Sequence, residues 1–86
     1  MKPIVFIDHA DQRLARRGLD REWIERTIRQ PDFLEPDPDH PERVRAYRSL
    51  PECDGRVLRV IYEDASVEIQ VITAFLDRNR TRRLNR

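Results

Sequence analysis

The sequence predicts an α+β fold, with two N-terminal helices packed on a small antiparallel β-sheet. Three observations lead there. Residues 55–76 hold the only long apolar stretch in a chain whose charged and hydrophobic contents are equal, at 38% each. Upstream, two stretches repeat apolar residues at the helical period. Between them and the long stretch, a proline-rich break is followed by an alternating run. The expected order is strand, helix, helix, meander.

The long stretch reads as a β-hairpin. Val57, Leu58, Val60, Ile61 and Tyr62 form one block; Val67, Ile69, Val71, Ile72, Thr73, Ala74 and Phe75 form the next. β-Branched residues dominate both, and residues 63–66 make a polar turn between them. The first strand is apolar on both faces apart from Arg59, which suits a central strand covered on both sides. In the second, Val67, Ile69, Val71, Thr73 and Phe75 share one face at a period of two. Such a pair needs helices to pack against it.

The remaining elements follow in order. Residues 2–7 read as a short strand that begins, at Pro3, on a sheet edge. Asp8 is the expected cap of a helix from His9 to about Arg17, with Asp11 in its first turn. Gly18 ends it in the left-handed conformation, which lets Leu19 fold back on Leu14. Ala10 and Leu14 are its buried stripe, and His9, Arg13 and Arg16 share another face. Asp20 caps the second helix, with Leu19 and Ile24 as a hydrophobic staple. Trp23, Ile24, Thr27 and Ile28 form its buried face, while Glu22–Arg26 and Glu25–Arg29 are spaced for exposed ion pairs. Gln30-Pro31 stops it. Residues 32–35 read as a brief strand and residues 36–41, with three prolines, as a loop. In residues 42–50, Val44, Ala46, Arg48 and Leu50 face one way and Arg43, Arg45 and Tyr47 the other. The core is expected from Leu14, Trp23, Ile24, Ile28, Val60, Val71 and Phe75. Residues 1–77 thus read as one domain and residues 78–86, with five arginines, as a basic C-terminal tail.

Composition narrows the function. No apolar run reaches the length of a membrane-spanning helix, and no signal-peptide pattern opens the chain. One cysteine, Cys53, leaves no internal disulfide and fits a reducing cytoplasm, so a cytoplasmic protein is expected. Net charge is +1, but residues 1–42 carry seven basic against ten acidic groups and residues 43–86 ten against six. Sixteen of the seventeen basic residues are arginine. Arginine binds phosphate with a planar fork that lysine lacks, which points to phosphate recognition; a GC-rich genome gives the same bias. With only Gly18 and Gly55, there is no phosphate-cradling glycine loop or dinucleotide fingerprint, and no cofactor is expected. Asp37, Asp39 and His40 lie close in sequence, but their spacing matches no known metal site, and none is expected.

Several segments together resemble a family of small bacterial domains of unknown function, the one numbered 4258. They are His9-Ala10 with Arg13 and Arg17-Gly18, then Gln30-Pro31-Asp32, Leu58-Arg59-Val60-Ile61-Tyr62, and Val71-Ile72-Thr73-Ala74-Phe75. The layout in turn resembles toxin ribonucleases of the RelE and BrnT type, from bacterial toxin–antitoxin pairs. That resemblance implies a RelE-like sheet, RNA as substrate, cleavage without metal, and an antitoxin protein as partner. No full catalytic set from those toxins aligns onto this sequence.

Metal-free RNA cleavage needs a base for the ribose 2′-hydroxyl, a cation for the phosphorane and an acid for the leaving oxygen. His9 is the acid/base candidate, because histidine is the residue type suited to proton exchange near neutral pH; packing or capping at the helix start is its other reading. Arg13 follows one helical turn later as a phosphate clamp. Arg59, isolated in an apolar strand, is the third catalytic candidate, or else the partner of an acid on a neighbouring strand. Candidate nucleic-acid contacts are Arg16, Arg45, Tyr47 as a base-stacking ring, the Thr73 hydroxyl, and Arg78, Arg80, Arg82 and Arg83 of the tail. A non-catalytic partner-binding module on the same fold is the competing reading.

Overall fold

The hydrophobic pattern resolves into a five-stranded sheet with helices on both faces. The computed structural model describes the backbone of residues 2–84 and the side chains of residues 2–81. Its elements are β1 (Ile4–Phe6), α1 (Ala10–Arg16), α2 (Arg21–Arg29), β2 (Phe33–Pro36), β3 (Arg43–Leu50), a short 3-10 turn (Pro51–Cys53), β4 (Arg56–Asp64), β5 (Ile69–Leu76) and α3 (Arg78–Leu84). The sheet order is β1-β5-β4-β3-β2, so the hairpin strand β4 is central. The α+β class of the sequence reading holds.

The sheet is mixed, not antiparallel. β2, β3, β4 and β5 form an antiparallel meander, but β1 pairs in parallel with β5, Ile4 opposite Ile69 and Phe6 opposite Val71. The chain that joins these two neighbours runs through α1, α2 and the strands β2, β3 and β4, long enough for the crossover that a parallel pair requires.

α1 and α2 cover one face. Ile4, Leu14, Leu19, Ile24, Ile28, Ala46, Leu50, Leu58, Val60, Tyr62, Val71 and Ala74 meet there in the core, with Trp23 packed at its margin. The signals that end α1 and begin α2 act as read. Gly18 has φ +75°, and Leu19 N–H bonds the Leu14 carbonyl at 3.0 Å while Gly18 N–H bonds Ala15 at 2.9 Å. That pair of bonds is the Schellman stop. The Asp20 carboxylate accepts the Glu22 N–H at 2.9 Å and caps α2.

Three details depart from the sequence reading. Asp8 does not cap α1; the capping position is His9, whose side chain makes no cap bond. Asp8 instead sits one residue earlier, in the reversal from β1. Val67 lies in the turn, 72% exposed. Phe75 is not core: β5 carries a bulge, because Tyr62 pairs with Val71 while Ile61 pairs with Thr73. Ile72 is the extra residue, and it flips the faces after it. Val71 and Ala74 therefore point to the helices, and Thr73 and Phe75 to the far side.

Residues 78–84, read as a tail, form α3 on that far side. Asp77 N–H bonds the Val57 carbonyl at 2.8 Å, and the Thr81 hydroxyl accepts the Val57 N–H at 2.8 Å. Asp77 Oδ1 accepts the Arg80 N–H at 2.9 Å and holds the first turn.

Candidate functional site

α1 begins on a turn that needs support. Ala10 N–H bonds the Ile7 carbonyl at 2.8 Å, and the two residues between, Asp8 and His9, have φ of 50° and 61°. Asp and His enter this left-handed region more readily than most residues. Each such residue still costs on the order of 1–3 kcal/mol, so the neighbours must hold it. Arg13 is that neighbour. Its guanidinium donates to the Asp8 carbonyl at 2.5 Å and to the Ile72 carbonyl of β5 at 3.2 Å.

Arg17, one turn on, repeats the contact. It donates to the Ala74 carbonyl at 2.8 Å and to Thr73 Oγ1 at 3.1 Å. The β5 carbonyls are free because β1 pairs with β5 only as far as Val71. Beyond it β5 is an edge, and the α1 arginines stand where a strand is missing. α2 treats β1 alike, with Arg21 and Arg29 each 3.4 Å from the Ile4 and Lys2 carbonyls. Covered edges resist unwanted strand pairing.

Carbonyl partners orient a guanidinium without cancelling its charge. His9, Arg13, Arg16 and Arg17 are all exposed, and none has a carboxylate partner among the described residues. α1 thus presents a basic ridge that begins at a histidine and in which Arg13 and Arg17 are oriented by their carbonyl partners.

Arg45, Arg59 and Arg80 on the far sheet face are different, because each is paired with acid. Arg45 lies 3.3 Å from Asp37 and 3.6 Å from Glu35, and Arg80 lies 3.2 Å from Glu35. Arg59 holds Asp77 Oδ2 with Nε at 3.1 Å and a terminal nitrogen at 2.6 Å. Tyr47 lies under this network, fully buried, with Arg80 4.4 Å and Arg59 5.4 Å from its ring centre, and it donates its hydroxyl to Glu35 at 2.8 Å. Burial alone would raise the Asp77 carboxyl, but the Arg80 N–H and the Arg59 guanidinium outweigh it and hold it below the usual carboxylate value. Asp37 follows the same pattern: burial opposes ionisation, and the N–H groups of Asp39 and His40 with Arg45 prevail.

These positions sort the sequence candidates. His9, Arg13 and Arg16 share α1, and Thr73 joins them through Arg17. Arg59 is not beside them: it projects from the face opposite α1 and α2, locked to Asp77. Tyr47, expected as a stacking ring, is closed off by two guanidinium groups. Arg45 and Arg80 share its network through Glu35, and Arg80 docks α3 there. Arg78 is exposed at the start of α3; the side chains of Arg82 and Arg83 lie outside the described residues. Arg17 was missed as a site residue, although it stands at helical spacing from Arg13. Asp77 was missed because its partner Arg59 lies across a strand pair, out of reach of any local pattern.

A comparison with curated proteins found no match, and neither did one with solved structures. The model of one family, described as a domain of unknown function (DUF4258), matches residues 6–76, a span that includes the Asp8–His9 turn, the three arginines of the α1 ridge and the β5 bulge; the chain belongs to that family.

Proposed function

We propose that this domain binds RNA through α1, with Arg13, Arg16 and Arg17 receiving backbone phosphates, and that it acts as a RelE- or BrnT-like toxin ribonuclease held in check by an antitoxin protein. The observation that carries this reading is the pair Arg13 and Arg17, exposed, pre-oriented by carbonyls and, among the described residues, without carboxylate partners. Pre-orientation lowers the entropy lost on binding a phosphate, and the unopposed charge supplies the attraction. His9 stands one helical turn before Arg13, so a phosphate held by Arg13 meets a group that exchanges protons near neutral pH. In this mechanism His9 takes the 2′-hydroxyl proton as the 2′-oxygen attacks phosphorus, the arginines stabilise the phosphorane, and His9 returns the proton to the 5′-oxygen as the P–O5′ bond breaks, with no metal involved. Arg59, on the other face, has no part in it.

The test uses purified protein and a labelled RNA in EDTA, scored for 2′,3′-cyclic phosphate ends. His9→Ala is expected to slow cleavage and to flatten the pH profile between about pH 5 and 8. Arg17→Ala removes a clamp worth about 3 kcal/mol, or roughly a hundredfold in rate. Cleavage at an unchanged rate in the His9→Ala protein would remove His9 from the chemistry. RNA binding without any cleavage would leave a binding domain only.

A partner-binding module is the second reading, favoured by one feature. Phe33 and Leu34 of the edge strand β2 are 45% and 49% exposed. Their burial by an antitoxin is compatible with RNA on α1.

A further inference from the structure

We infer that the cleft between α3 and the adjoining ends of β4 and β5 binds a phosphate monoester, the charged end of a nucleotide. The cleft has a volume of about 560 Å³ and is lined by Arg56, Leu76, Asp77, Arg78 and Thr81. That size lies within the range of roughly 300–1,000 Å³ typical of small-ligand sites. It lies away from α1.

Its charge selects the ligand. Arg56 and Arg78 are exposed, and neither has a carboxylate partner among the described residues. Arg56 is steadied by one bond, from Nε to the Cys53 carbonyl at 3.3 Å, which leaves its charge intact. Asp77, the one acid in the lining, is 6% exposed and already bound by Arg59, so it does not neutralise them. The first turn of α3 offers little, since Asp77 and its carbonyl already take the Arg80 and Thr81 N–H groups. Recognition therefore rests on two guanidinium forks. A phosphate monoester carries a charge of about −1.5 to −2 at pH 7, against one for a diester, and matches two arginines better. Leu76 gives the wall an apolar patch for the nucleoside. Such a phosphate comes either on a free nucleotide or on the end of an RNA.

The experiment is a titration of the ¹⁵N-labelled full chain with 5′-AMP, inorganic phosphate and adenosine, followed by NMR. AMP and phosphate are expected to shift the Arg56 and Arg78 Nε–H signals, and adenosine is expected to leave them unmoved. Affinity for AMP should rise as pH passes about 6, where the phosphate loses its second proton. Arg56→Ala and Arg78→Ala should each weaken AMP binding about tenfold, the size of one charge-assisted contact, with unchanged melting. A 5′-phosphorylated oligonucleotide that binds more tightly than its 5′-hydroxyl twin assigns the site to RNA ends; equal binding assigns it to free nucleotides. No shift at these arginines with AMP at several times about 1 mM, or binding indifferent to both substitutions, overturns the inference. RNA binding at α1 is unaffected by either outcome.

Discussion

A Val71→Asp variant is expected to show no cooperative melting transition. Val71 is fully buried in the middle of β5, paired with Phe6 of β1 on one side and Tyr62 of β4 on the other. The bulge at Ile72 leaves it facing the helices, among Leu14, Ile24 and Val60. That cluster is built of uncharged side chains, so a carboxylate there is left unpaired and loses several kcal/mol of hydration. Chains of this length hold roughly 4–13 kcal/mol of total stability, so one such change consumes most of it. Val67→Asp is the matched control. Its side chain is 72% exposed in the turn, and the change should stay within about 0.5 kcal/mol. Circular dichroism melts of the two variants check both statements, and a cooperative Val71→Asp transition near that of the native chain would refute the core assignment.

Asp77→Ala is expected to release α3 from the sheet. The substitution removes the acceptor of the Arg80 N–H and both bonds to Arg59. Arg59 then stands on the sheet without a counter-charge, between Tyr47 and Phe75. Loss of one partner of a buried pair costs 3–5 kcal/mol; with Arg59 about one fifth exposed, about 2 kcal/mol is expected. Amide hydrogen exchange reads the effect locally, as faster exchange at Val57 and Thr81. The same contact gives a pH dependence of defined sign. The Asp77 carboxyl is depressed in the folded chain, so its contribution is present above the unfolded value near 3.9 and is lost as pH falls through the lower folded one. Acid should therefore loosen α3 in the native chain below about pH 4, and the Asp77→Ala protein should lack that step.

The parts legible in the sequence were those written in local signals. Gly18 with Leu14 and Leu19, Asp20 before α2, and Pro31 after it each act within a few residues, and each appears in the structure as read. The alternation in β3 also held, with Ala46 and Leu50 in the core and Arg45 and Tyr47 opposite. What was not legible depends on contacts between distant residues. The bulge at Ile72 has no glycine or proline to mark it; it exists because Val71 and Ala74 both pack on the helices with two residues between them. α3 looked like a charged tail because its anchors, Asp77, Arg80 and Thr81, meet Arg59, Glu35, Tyr47 and Val57 only across the fold. For the site, His9, Arg13 and Arg16 could be grouped by helical spacing. The role of Arg17 and the separation of Arg59 could not, since both follow from where β1 stops and which way β4 faces.

The most direct test of RNA recognition by α1 is a map of the contact itself. The ¹⁵N-labelled chain is titrated with a single-stranded RNA lacking terminal phosphates, and arginine Nε–H and backbone signals are followed by NMR. Recognition by α1 predicts shifts concentrated at residues 9–17 and 72–74, with Arg13, Arg16 and Arg17 moving most and the effect fading as salt rises. The acid-paired Arg45, Arg59 and Arg80 should stay in place. Shifts centred on those three arginines with α1 silent, or no shift anywhere at low salt, would contradict it.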